Sequence, residues 1–239
     1  MNALVTGSSS GLGLAVALEL ASAGMPVAIA DCKYAETDTD GTLNPNVGGS
    51  AIDDFHRLDL LEARIKRALR EAAAVDGQLD VVVCNSHLQV FPDFDSLETE
   101  EWQTAILVDL LNAHYLLKHV PRFMAPDGMV CIVFAPPPTG STYAQVVYAA
   151  ASSAMVDMAR IGSTRSRLQR VHVNIVFPWS CDSPDTSGDR PEIPIREEVA
   201  GDKSPYASVV AAIMQIAQGG PLWRPGTAFK AGPHRVECY

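Results

Sequence analysis

The chain has no long hydrophobic run. No apolar stretch reaches the ~18 residues that a membrane-crossing helix requires, although 47% of the 239 residues are hydrophobic. The opening MNALVTG is interrupted by Thr6 and Gly7, so it reads as the start of a strand and not as a signal peptide. Cysteine is sparse: five residues, Cys32, Cys84, Cys131, Cys181 and Cys238, with no CxxC pair among them. That argues against a disulfide framework or a zinc site, and no metal is expected. Cys84 and Cys131 lie inside apolar runs and read as small core residues. Basic side chains are in deficit, with 18 Lys and Arg against 28 Asp and Glu and a net charge of −10. This balance argues against nucleic acid or an anionic membrane surface as a partner, and suits a cytoplasmic chain acting on small molecules. Repeats and domain linkers are absent too, so residues 1–239 are expected to form one domain.

What is present is an alternation of short apolar runs with longer amphipathic ones. Ala3 to Val5 and Val27 to Ala30 read as strands, separated by the helical run LAVALELASAG that stops at Gly24. A charged helix is expected over Leu61 to Ala74, a buried strand over Leu79 to Val83, and a long helix over Trp102 to Met124. Strand Met129 to Phe134, helix Tyr148 to Arg170 and strand Val171 to Val176 follow. A helix over Tyr206 to Gln218 and a short strand over Thr227 to Lys230 close the pattern. Such alternation implies an α/β fold of three αβα layers: a Rossmann-like, doubly wound parallel sheet with helices on both faces. Two polar segments interrupt it. Ala35 to Ser50 falls where a crossover helix would lie, and Ser180 to Ser204 is long enough to be a lid or a flexible loop.

The turn Thr6-Gly7-Ser8-Ser9-Ser10-Gly11-Leu12-Gly13 follows a strand and opens a helix. In that context glycine has a mechanism. Gly7 permits a tight turn, while Gly11 and Gly13 allow close approach of backbone to a pyrophosphate and of helix to strand. Ser9, Ser10 and Leu12 share the turn, and the helix N-terminus offers N–H groups and partial positive charge to phosphates. Asp31 closes the second strand, where a carboxylate accepts bonds from ribose hydroxyls and repels a 2′-phosphate; NAD is therefore expected over NADP. No Arg occupies Ser8 to Ser10, although Lys33 is close by. Asp59 and Leu60 are expected after a third strand, facing adenine. Asn85 and Ser86 follow the buried strand, at the carboxyl edge where ligands sit in such sheets.

These residues resemble the short-chain dehydrogenase/reductase family over nearly the whole chain. TGSSSGLG is similar to its TGxxxGxG turn, LDVVVCNSH to its strand ending in NNAG, and VHVNIVFPW to its VNxVxPG. GTAFKAGP is similar to its last strand and glycine. The resemblance sets Pro178 and Trp179 beside the cofactor and implies a homodimer or homotetramer built on the two long helices. It also implies a catalytic Asn, Ser, Tyr and Lys. Here those positions fall on Asp109, Ala135, Tyr148 and Ser152, so only the tyrosine is kept. Taking Tyr143 as that tyrosine puts Val147 at the lysine position and recovers nothing. His87 and Trp179 replace glycines of the family pattern.

The substitutions have a physical cost. A free phenol has a pKa of ~10, so only about 0.1% is ionised at pH 7. Alcohol oxidation needs the phenolate as base, and Ser152 carries no charge to stabilise it. Carbonyl reduction needs only the neutral phenol as acid. A missing Ser hydroxyl costs about 3 kcal/mol, by comparison with an oxyanion-hole donor. The expected function is accordingly an NAD-dependent oxidoreductase in which Tyr148 acts as acid for carbonyl reduction. Two alternatives stay open: a cyclase, lyase or isomerase using Tyr148, Asp109 and His87, and a dinucleotide-binding homologue without turnover.

Overall fold

The computed structural model describes residues 1–8, 11–30, 51–85, 99, 102, 110–133, 146–164, 171–178, 206–219, 228–231 and 236–238. Seven strands form one sheet: β1 (Ala3–Thr6), β2 (Val27–Ala30), β3 (Leu79–Cys84), β4 (Met124–Val133), β5 (Val171–Pro178), β6 (Ala228–Ala231) and β7 (Val236–Cys238). Their spatial order is β2-β1-β3-β4-β5-β6-β7. All pairings are parallel except that of β6 with β7, which is antiparallel. Among the described residues, the longer helices are α1 (Gly11–Ser22), α2 (Ala51–Asp76), α3 (Asn112–His119), α4 (Val146–Thr164) and α5 (Ala207–Ala217).

A sheet covered on both faces needs strands that are apolar on both faces. β3 meets that demand with consecutive valines: Val82 points into one core and Val81 and Val83 into the other. The first core joins Leu4, Val82, Val130, Ile132, Val173 and Ile175 to α2, α3 and α4. The second joins Val5, Val83, Cys131 and Val176 to α1 and α5. Three layers result, as the sequence pattern implies. Helix α1 ends where the sequence says it should. Gly24 takes φ +83, its N–H donates to the Ala21 carbonyl at 3.0 Å, and the Met25 N–H donates to that of Leu20 at 3.1 Å. This is a Schellman cap, with Leu20 and Met25 packed in the same core.

Several boundaries differ from expectation. The helix expected to run to Met124 ends at His119, passes through a 3-10 turn at Val120–Arg122, and Met124 already begins β4. Pro121 has no N–H to continue the ladder, which accounts for the stop. Among the described residues, no third strand precedes Asp59 and Leu60. Both lie inside α2, which starts at Ala51 and not at Leu61. Leu58, Leu61, Ile65, Leu69 and Ala72 recur at helical spacing, and that continuous stripe prevails over a short strand. Helix α4 begins at Val146, two residues before the expected Tyr148, its expected continuation over 165–170 lies outside the described residues, and β5 extends to Pro178. Strand β7 is unanticipated, its three residues being too short to carry a period. Among the described residues, no helix is long and apolar enough to cross a membrane.

Candidate active site at the carboxyl edge of the sheet

The chain leaves β1 for β2 on one side and returns to β3 on the other. The carboxyl ends of β1 and β3 therefore flank the point where strand order reverses, which is where open α/β sheets bind ligands. Thr6-Gly7 and Cys84-Asn85 meet there, since Thr6 pairs with Cys84 in the register of β1 with β3.

Gly7 and Gly11 take left-handed φ of 62° and 54°, a region that costs a side-chain-bearing residue about 1–2 kcal/mol. The Gly7 N–H donates to the Ala30 carbonyl at 2.8 Å, which ties the turn to the end of β2. Ser8 is buried, and its hydroxyl donates to the Val5 carbonyl at 3.2 Å. Gly13 is the tightest point. A Cβ there would stand 2.0 Å from the Gly7 oxygen and 2.7 Å from Asn85 Nδ2. Only glycine lets α1 approach the strand this closely, and the same closeness aims the first turn of α1 at the sheet edge.

Asn85 has a role that sequence reasoning missed. Its amide Nδ2 donates to the Gly7 carbonyl at 3.1 Å, and its backbone N–H donates to Thr6 Oγ1 at 3.2 Å. It is buried and fastens the glycine turn to β3. Nothing local announces a bond across 78 residues; the faint signal is a polar residue at each of two adjacent strand ends. Leu12, partly buried, packs against the second core.

Tyr148 and Ser152 both lie in α4, one turn apart. Pro178 is the last residue of β5. The expected site residues Ser9, Ser10, Asp31, Ser86, His87, Asp109, Ala135 and Trp179 fall outside the described residues, as does the Ser180–Ser204 segment. Asp31 directly follows Ala30, the residue bonded to Gly7. Leu110 and Leu111, directly after Asp109, are π-helical, a local widening that recurs at functional sites. Asp59 and Leu60, as helical residues of α2, do not stand at a strand end as expected. Among the described residues, no group of His, Cys, Asp and Glu could hold a metal ion. A cavity of about 300 Å³ lies at the opposite, amino edge, lined by Met1, Asp80, Asp127, Met129 and Ile216 among others; the glycine turn has no part in it.

The sequence matches the family profile described as short chain dehydrogenase over residues 1–193. It is 29% identical over 190 residues to cis-4-hydroxycyclohexanecarboxylate dehydrogenase of Sinomonas cyclohexanicum, covering 78% of this chain and 75% of the relative. It is 28% identical over 216 residues to a tropinone reductase homologue of Arabidopsis thaliana, covering 87% and 78%. A short chain dehydrogenase of Burkholderia cenocepacia J2315, solved in complex with NADP, superposes with a TM-score of 0.71 at 21% identity, over 97% of this chain and 96% of that one.

Proposed function

The chain belongs to the short-chain dehydrogenase family, and from that premise we propose that it is an NAD-dependent reductase of small carbonyl compounds. The observation that carries the reading is the cradle at the switch point. Gly7 and Gly11 are left-handed, and Gly13 leaves no room for a Cβ. A pyrophosphate needs that close backbone approach, so the residues present fit a dinucleotide. Gly7, Ser9, Ser10, Gly11, Leu12 and Gly13 would hold the phosphates. Asp31 would accept the ribose hydroxyls and select NAD over NADP; Asn85 and Ser86 would border the adenosine, with Pro178 and Trp179 at the nicotinamide end.

Bound NADH supplies the hydride. Tyr148 donates the proton to the carbonyl oxygen from its phenol, a step that needs no ionised tyrosine. Ser152 stands where the family's lysine would lower the phenol pKa, so oxidation of alcohols is slow. The same absence favours a second reading, non-redox acid–base chemistry by Tyr148, Asp109 and His87. The protein acts as one domain in the cytoplasm and as a homodimer or homotetramer through α3 and α4; Ile161 on α4, 54% exposed, supports a partner on that helix.

Calorimetry with NADH and NADPH, followed by a ketone panel read at 340 nm, tests the reading. NADH is expected to bind more tightly, with slow ketone reduction and weaker alcohol oxidation. Equal or tighter NADPH binding overturns the cofactor assignment. NADH binding without any ketone turnover overturns the reductase and leaves the non-redox reading.

A further inference from the structure

We propose that the amino-edge cavity binds a short organic ammonium ion whose far end carries a hydroxyl. The cavity stands apart from the cofactor cradle, at the other end of the strands. It measures about 300 Å³, within the range of small-molecule sites. β3, β4 and the end of α5 wall it in.

The outer zone is negative. Asp127 stands at the rim with its side chain 82% exposed, and Asp80 lies in the wall. Asp80 Oδ2 accepts from the Asn2 N–H at 2.6 Å and stands 3.8 Å from the Met1 ammonium. Asp127 Oδ1 stands 3.8 Å from His172 Nε2. No Lys or Arg is among the lining residues. The C-terminus of α5 adds its partial negative charge, which no basic residue in its last turn offsets. Two carboxylates and a helix end therefore face one ammonium, and a neutral His172 leaves that balance negative. A second cation is favoured there.

The middle zone is apolar, built from Met129, Ile216 and Ala217. Beyond it the same face turns polar again. Met129 pairs with His172 and Cys131 with Asn174, so Asn174 lies about 7 Å further along the strands than the Met129 row. Strand side chains stand perpendicular to the sheet and alternate in face. Val176, two residues on, packs in the second core with α5, so Asn174 projects into the layer that holds the cavity. It is fully buried, and among the described residues neither its Nδ2 nor its Oδ1 has a partner. A buried amide without bonds is destabilising. A ligand hydroxyl both donates and accepts, so it suits either atom. Cationic head, apolar stem and hydroxyl tail match the three zones in order.

The probe is aminohexanol with its two groups at opposite ends, titrated onto the full chain and followed by ligand-observed NMR. Hexylamine, hexanol and hydroxyhexanoate are the comparators. The amino alcohol should bind most tightly, and more weakly as salt rises. Asp127→Asn should weaken it about fivefold. Asp127 sits at φ 62, a region that Asn tolerates as Asp does, so the fold should persist. Gln218→Lys puts a fixed cation on an exposed lining residue and should weaken binding likewise. Glu71→Gln makes the same charge change as Asp127→Asn on α2, against the opposite face of the sheet, and should leave binding intact. Asn174→Leu should erase the advantage of aminohexanol over hexylamine. The same comparison on the parent carries that point if Asn174→Leu fails to fold. No binding at low salt overturns the proposal, as does hexanol or hydroxyhexanoate binding as tightly as the amino alcohol. Affinity unchanged in Asp127→Asn and Gln218→Lys, or lowered equally by Glu71→Gln, overturns it too. Hexylamine binding the parent as tightly as aminohexanol overturns the part given to Asn174.

Discussion

The two halves of the sheet's carboxyl edge keep different things. At β1 and β3 the described residues hold the close-packed backbone that the proposed dinucleotide site needs: the left-handed Gly7 and Gly11, the crowded Gly13, and Asn85 bonded to Gly7. At β4, β5 and α4 the site proposed above keeps only Tyr148 of the family's reacting groups, with Ala135 and Ser152 proposed at the serine and lysine positions. The difference separates two kinds of requirement. Gly13 is demanded twice, by the phosphates and by the packing of α1 on the Gly7 carbonyl, so replacing it damages the fold as well as the site. A lysine at position 152 would be demanded only by chemistry, and a serine there leaves a helix that still forms.

The comparison breaks first at Gly13, where the largest effect is expected. Gly13→Ala puts a Cβ 2.0 Å from a backbone oxygen, and backbone cannot swing aside as a side chain does. A loss of about 4 kcal/mol or more belongs to this class of change, with NADH binding lost beyond detection. Gly24→Ala is the contrast. Nothing lies within 4 Å of a Cβ there, and only φ +83 opposes it, a cost of about 1–2 kcal/mol that leaves NADH affinity unchanged. Thermal melts and calorimetry check both. A Gly13→Ala protein that binds NADH like its parent would remove the cradle argument.

The second effect lies at the other half. Ala135→Ser with Ser152→Lys restores two of the three missing groups, the serine and the lysine. A lysine that moves the phenol from ~10 to ~7 supplies about 4 kcal/mol. Reduction gains less than oxidation, because only oxidation requires the phenolate. Alcohol oxidation should rise about a hundredfold or more, and ketone reduction about tenfold, at unchanged NADH affinity. Absence of any gain, in a protein that still binds NADH, would mean that Trp179 or His87 blocks the nicotinamide position.

Asn85→Ala should come third. It deletes the bond to the Gly7 carbonyl at 3.1 Å and leaves that carbonyl to find another donor. A loss of about 1–3 kcal/mol is expected, with NADH affinity lowered about tenfold through the loosened turn. Stability lost at full NADH affinity would make Asn85 a strand fastener with no bearing on the cofactor.

The sequence made some of this readable and some not, for physical reasons. The glycine turn and the Gly24 cap were legible because φ and close approach are local demands that a residue type answers by itself. The alternation gave the layers, because burial on both faces writes itself into runs such as Val81–Val83. Asp59 and Leu60 were misplaced because a 26-residue helix absorbed what a short window allowed to be a strand. The helical pattern of Trp102–Met124 runs on past Pro121, where the hydrogen-bond ladder stops. The Asn85 bond joins positions 78 apart, and no periodicity encodes it. The acid–base assignments rested on the family pattern, and Tyr148 and Ser152 share α4 at the expected spacing of one turn.

The smallest effect sharpens the comparison by lying outside both halves. The Glu62 carboxyl is held at about 2, against 4.5 ordinarily, by hydrogen bonds from Lys118, His119 and Lys66. A carboxyl lowered by folding stabilises the native state above its unfolded pKa, and that contribution disappears as pH falls to the folded value. The window therefore runs from about 4.5 down to about 2. Glu62→Gln removes the charge at every pH. It should melt about 2–4 °C below the parent at pH 6, which roughly 1 kcal/mol produces in a chain of this size. The two melting curves should draw together as pH approaches 2, because the parent's carboxyl is then about half protonated in the native state and little of the linkage remains. NADH affinity and ketone turnover should be unchanged, since Glu62 joins α2 to α3 and bonds to nothing in the glycine turn. A gap between the curves that stays constant with pH would assign the effect to lost packing and not to charge. A shift in NADH affinity would show that the α2–α3 junction is coupled to the cradle, and the two halves of the edge would no longer account for the site by themselves.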